Sequence, residues 1–151
     1  MTVVNKGRGK THSDECFKGF QKLWMFQRVS KKHMRILVCG DRNWTSYKSI
    51  YLKLKELQPT CVIQGECKGA DVLGKRAARA LKCPVESYPA KWHVDGIYDR
   101  TAGPKRNRQM IVEGKPDLII AFHADLVNSK GTKGMIALAN TYKIPVQHFT
   151  S

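Results

Sequence analysis

The chain has 151 residues, 42% of them hydrophobic, with 27 Lys and Arg against 12 Asp and Glu. That length suits one domain with a real core, and no apolar run approaches the about 20 residues of a membrane span. A formal net charge of +15 favours polyanionic partners such as nucleotides or nucleic acid.

Residues 1–13 (MTVVNKGRGKTHS) are polar and basic and read as a flexible arm. Its Lys6, Arg8 and Lys10, with Lys31 and Lys32 further on, are the sequence basis for a nucleic-acid partner. Phe17, Phe20, Leu23, Trp24 and Val29 approximate one helical face. Such a face packs either on the domain or on a second copy of the chain, so a homo-oligomer is an open expectation. The opening residues lack an apolar stretch of secretory type. The cytoplasm is therefore the expected location, with no membrane partner.

A regular alternation follows. Strands are predicted near residues 35–39, 60–64, 84–88, 117–122 and 144–149. Helices are predicted over Tyr47–Leu57, Ala70–Leu81, Pro104–Glu113 and from Gly131 to about Tyr142, with a loop carrying Trp92, His93 and Gly96. Strands apolar on both faces need helices on both sides, and right-handed crossovers then give a parallel sheet. The expected fold is α/β: a Rossmann-like three-layer sandwich on a mainly parallel five-stranded sheet, with an N-terminal helical extension. Ligands of such sheets sit beyond the carboxyl ends of the strands.

Four segments lie at that edge. Gly40-Asp41-Arg42-Asn43-Trp44 follows the first strand; Arg42 suits a phosphate or carboxylate, and Trp44 either stacks on a base or closes the core. Residues 65–71 read GECKGAD, either a phosphate cradle at a helix start or a tight turn whose Asp71 caps free amides. Residues 102–110 read AGPKRNRQM; Arg106 and Asn107 point in adjacent directions while Arg108 points elsewhere. A basic helix face in solvent is the plainer reading of that run. Ser129-Lys130-Gly131-Thr132 opens the last helix, with Thr132 either capping it or donating to a phosphate. His93 and His123, the latter near Asp125, are either a general base or metal ligands, or exposed loop histidines. The five cysteines (Cys16, Cys39, Cys61, Cys67 and Cys83) form no C-x-x-C pair, so neither a metal site nor a disulfide framework is expected. No cofactor is expected either.

In order and spacing these segments resemble the YspA-type family of SLOG domains, relatives of the LOG nucleotide-processing proteins and of DprA. The family pattern runs G-[SG]-R-[DN]-W, H-G-x-x-x-G-A-D, A-G-P-x-R-N-R-x-M and G-x-G-T-x-x-M; the chain supplies GDRNW, QGECKGAD, AGPKRNRQM and SKGTKGM. The resemblance covers residues 34–151 and leaves 1–33 outside as a basic arm and amphipathic helix. It implies a domain that holds a nucleotide-like, phosphate-bearing ligand. Gly40, Arg42, Gly65, Gly69, Asp71, Arg106, Asn107, Gly131 and Thr132 are expected to converge on one cleft. Arg106 is the expected phosphate partner, so that its loss weakens binding with the fold retained. Gln64 and Ser129 depart from the pattern, which has histidine and glycine there. LOG enzymes carry a glutamate, implicated in cleaving N-glycosidic bonds, where this chain has Met135. That weakens a hydrolase assignment, not ligand binding, and leaves Asp71 as the candidate catalytic acid. The alternatives are a DprA-like nucleic-acid-binding protein and an assembly role for the N-terminal extension.

Overall fold

The structure is a computed structural model that describes residues 33–151. The expected arm and aromatic helix of residues 1–29 lie outside the described residues. Met34–Ser151 form a compact unit by themselves.

Five parallel strands make the central sheet: β1 (Arg35–Gly40), β2 (Cys61–Gln64), β3 (Val85–Ser87), β6 (Leu118–Phe122) and β7 (Val146–Phe149). Their order is β3-β2-β1-β6-β7. The chain therefore builds outward from β1 to one edge, then crosses back and continues from β1 to the other. The reversal falls between β1 and β6, which is where the loops leaving adjacent strands diverge and open a crevice.

Helices α1 (Tyr47–Leu57), α2 (Ala70–Ala80), α3 (Ala102–Val112) and α4 (Gly131–Thr141) link the strands. Alternating side chains feed two cores. Ile36, Val38, Val62, Ile120 and Phe122 pack with Ile50 and Leu54 of α1 and Ala77 and Ala78 of α2. Leu37, Cys39, Ile63, Ile119 and Ala121 pack with Met110 and Ile111 of α3 and Met135 and Ala139 of α4. Two buried faces on β1 and β6 explain why both read as unbroken apolar runs. The expected three-layer α/β sandwich is what the chain forms.

One element differs from expectation. Part of the loop after β3 folds into a hairpin of β4 (His93–Val94) and β5 (Ile97–Tyr98). Its two turn residues, Asp95 and Gly96, both have positive φ, at 52° and 79°. That is the backbone a two-residue hairpin turn needs, and Asp-Gly is a pair that adopts it readily. Strands of two residues carry no periodicity, so only the turn pair signals the hairpin in the sequence. Among the described residues, no helix is long and apolar enough to cross a membrane.

Candidate functional site

A cavity of about 970 Å³ opens at the carboxyl edge, over the β1–β6 reversal. Its walls come from the loop after β1, the first turns of α3 and the start of α4. Seven of the nine expected residues line it: Gly40, Arg42, Asp71, Arg106, Asn107, Gly131 and Thr132. Gly65 and Gly69 do not.

Those two glycines serve close packing instead. A Cβ on Gly65 would run into the Arg106 guanidinium. Gly69 has φ +77°, and a Cβ there would run into the backbone of Asp41 and Arg42. The absence of that Cβ lets the start of α2 rest on the β1 loop, where the Ala70 amide donates to the Asp41 carbonyl at 3.1 Å.

The first three amides of the GECKGAD loop are already occupied. Gly65 N donates to Asp71 Oδ2 at 3.0 Å, the Cys67 amide also reaches Asp71, and Glu66 N donates to Gln64 Oε1 at 2.6 Å. The Asp71 carboxylate thus occupies the anion position of its own loop. Gln64, fully buried, stands where the family pattern has histidine. Its amide nitrogen donates to Glu66 Oε1 and Ser87 Oγ at 3.0 and 2.6 Å. Glu66 adopts a left-handed φ of 59° and pairs with Lys75 at 2.6 Å. The Lys75, Ser87 and Gln64 hydrogen bonds hold its carboxyl down at about 2. Glu66 is therefore a fixed anion that braces the loop.

Asp71 is the opposite case. It is 5% exposed, and burial raises its carboxyl to about 6 against the pull of Arg106 and of the Gly65 and Cys67 amides. Arg106 is 9% exposed. It donates to the Gly65 carbonyl at 2.5 Å, to Asn107 Oδ1 at 3.1 Å and towards Cys67 Sγ at 3.4 Å. Asn107 then donates to the Gly131 carbonyl at 3.3 Å. The R-N pair is thus a strut that ties the Gly65 loop, α3 and α4 together while it faces the cleft. The expectation that Arg106 can be removed with the fold retained does not suit these contacts. Arg108 is exposed and lines the cleft beside Arg106 and Asn107, contrary to the expectation from helical phase that it points elsewhere.

At the fourth segment Ser129 does the capping: its hydroxyl accepts from the Thr132 amide at 3.0 Å. The serine that replaces the pattern's glycine therefore has a use. A Cβ on Gly131 would meet nothing within 4 Å, so this glycine keeps the cleft open at the helix start without relieving strain.

Trp44 closes the core. It is 8% exposed, packs on Phe122 with ring centroids 5.5 Å apart, and its Nε1 donates to the Ser46 carbonyl at 3.1 Å. Trp92 stands in the cleft wall instead, and nothing in its local sequence separates it from Trp44. His123 lines the cleft, with Nδ1 accepting from the Asp125 amide at 3.0 Å; His93 lies on the exposed hairpin. Among the described residues, no three His, Cys, Asp or Glu side chains are placed to hold a metal ion.

The lining is asymmetric in charge. Arg42, Arg100, Lys105, Arg106, Arg108 and Lys130 face Asp41 and Asp71. Among the described residues, Arg42, Arg100, Arg108 and Lys130 form no salt bridge. Below them the floor is apolar, with Met110, Met135 and Leu138.

Residues 34–94 match the family model described as YAcAr, the YspA, cpYpsA-related SLOG family. The SLOG match holds the GDRNW and QGECKGAD segments and ends before AGPKRNRQM and SKGTKGM. Those two join the SLOG segment in space, through the Arg106–Gly65 and Asn107–Gly131 bonds. No curated protein matches the chain.

Proposed function

We propose that the cleft binds a nucleotide or nucleotide-derived ligand through its phosphate. One observation carries this reading: four cations without an ion-pair partner among the described residues surround an apolar floor at the reversal of strand order. Unpaired cations around a concave site raise the local concentration of anions. A mostly apolar pocket with a few placed polar groups is the usual make-up of a small-molecule site. The SLOG-family match of residues 34–94 supports a nucleotide-related role. Gly131 leaves the backbone open at the start of α4.

Within this reading Arg42 is the phosphate hook, because it is exposed in the cleft and no side-chain hydrogen bond among the described residues holds it elsewhere. Arg106 and Asn107 position the walls. Asp71 holds the Gly65 loop and is also the acid in the cleft whose carboxyl, raised to about 6, suits proton exchange near neutral pH. The position of the LOG glutamate is filled by Met135, 1% exposed in the cleft floor, which favours binding over N-glycosidic cleavage.

Titration calorimetry with AMP tests the reading. A charged hydrogen bond contributes roughly 1.5–3 kcal/mol, so Arg42→Ala is expected to weaken AMP about tenfold to a hundredfold. Arg79, exposed in the last turn of α2 and outside the cleft, is the control, and Arg79→Ala is expected to leave AMP affinity unchanged. Equal losses in the two variants would reduce the effect to general electrostatics and overturn the site.

A further inference from the structure

A nucleotide has a flat aromatic end, and the phosphate reading leaves it without a partner. Among the residues lining the cleft, Trp92 is the one aromatic side chain besides the His123 imidazole. It stands immediately before the β4–β5 hairpin, whose four strand residues are all exposed and contribute to neither core. The hairpin is nevertheless built with care. The Asp95-Gly96 turn closes it, and the Asp99 amide donates to the Trp92 carbonyl at 2.7 Å. Asp99 then ties the hairpin to the start of α3: its carboxylate accepts from Thr101 N at 2.9 Å and pairs with Lys105 at 2.8 Å.

The outcome of these contacts is a fixed indole. Tyr98 stacks on it nearly parallel, with an interplanar angle of 11° and centroids 6.0 Å apart. Gly103 lies against its far edge, where a Cβ would come within 3.4 Å of the ring. A hairpin outside both cores, pinned to α3 and backed by a second ring, is more than folding requires. It is what presenting one flat apolar surface to a cleft requires.

We propose that Trp92 is the stacking platform for the nucleobase, with Tyr98 as the residue that holds the indole in position. The inference rests on the nucleotide reading of the cleft. Stacking of a base on an aromatic ring tolerates every base, because each offers a π-face. The platform therefore recognises the presence of a base and leaves its identity to other contacts.

Calorimetry on the full chain with AMP and with ribose 5-phosphate, which lacks the base, tests this. Trp92→Ala is expected to weaken AMP roughly tenfold to a hundredfold and to leave ribose 5-phosphate unchanged. Trp92→Phe should restore part of the AMP affinity, and Tyr98→Ala should produce a smaller loss confined to AMP. Equal weakening of both probes in Trp92→Ala, or unaltered AMP affinity, would overturn the platform while the phosphate site stands. Wild-type protein that binds ribose 5-phosphate as tightly as AMP would also overturn it. Wild-type protein that binds neither would sink the nucleotide reading and the platform with it.

Discussion

Arg106→Ala is expected to lower the unfolding free energy by about 1.5–3 kcal/mol, as losing a buried hydrogen bond from a charged donor does. Arg106 is 9% exposed; its guanidinium bonds the Gly65 carbonyl at 2.5 Å and favours the ionised form of Asp71. Its loss strips that carbonyl of its side-chain donor and removes the nearby positive charge from a buried carboxylate. Arg106→Lys should recover only part of the loss, since an ammonium cannot reproduce the planar fork that serves Gly65, Asn107 and Cys67 together. Urea denaturation checks this. A change within about 0.5 kcal/mol, the range of ordinary surface substitutions, would show that the strut carries no stability.

The second large effect is a pH dependence with an unusual sign. Burial raises the Asp71 carboxyl from 3.8 to about 6 in the folded protein. Between about pH 4 and 6 the folded state then binds more protons at this site than the unfolded chain. The contribution of Asp71 to stability is therefore present at the acid end, is lost as pH rises through 6, and is level above that. A shift of this size corresponds to about 3 kcal/mol. Asp71→Asn removes the titration, so the wild type should lose about that much stability relative to the variant between pH 4 and 7. Glu66, held down at about 2, acts in the opposite sense and mostly below this window: its contribution is lost as pH falls below the ordinary glutamate range. A wild-type-minus-variant difference that stays flat from pH 4 to 7 would contradict the raised carboxyl.

The sheet was legible because buried parallel strands write themselves as apolar runs. RILVC, TCVIQ and DLIIAF each coincide with a strand buried on both faces. The candidate site was legible as positions, since seven of the nine expected residues meet in one cleft. Their division of labour was not. The Arg106–Gly65 bond spans 41 residues, and no local pattern discloses that a guanidinium is already engaged. Asp71 filling its own loop was one of the two readings open for GECKGAD, and burial at the start of α2 decided it. Gly65 and Gly69 signalled close approach correctly, but what approaches is protein rather than ligand. Trp44 closing the core was one of the two readings open for it, whereas Trp92 carried no site reading, because a two-residue hairpin has no period to read.

The most direct test of the phosphate cleft is amide chemical-shift mapping on nitrogen-15-labelled full-length protein titrated with AMP. Binding at the strand-order reversal predicts that the largest shifts fall on Gly40, Asp41, Gly131 and Thr132, with the Trp92 indole N–H moving alongside them. Shifts centred instead on the exposed basic residues of α2, Arg76 and Arg79, with the Gly40 and Gly131 amides unmoved, would contradict it.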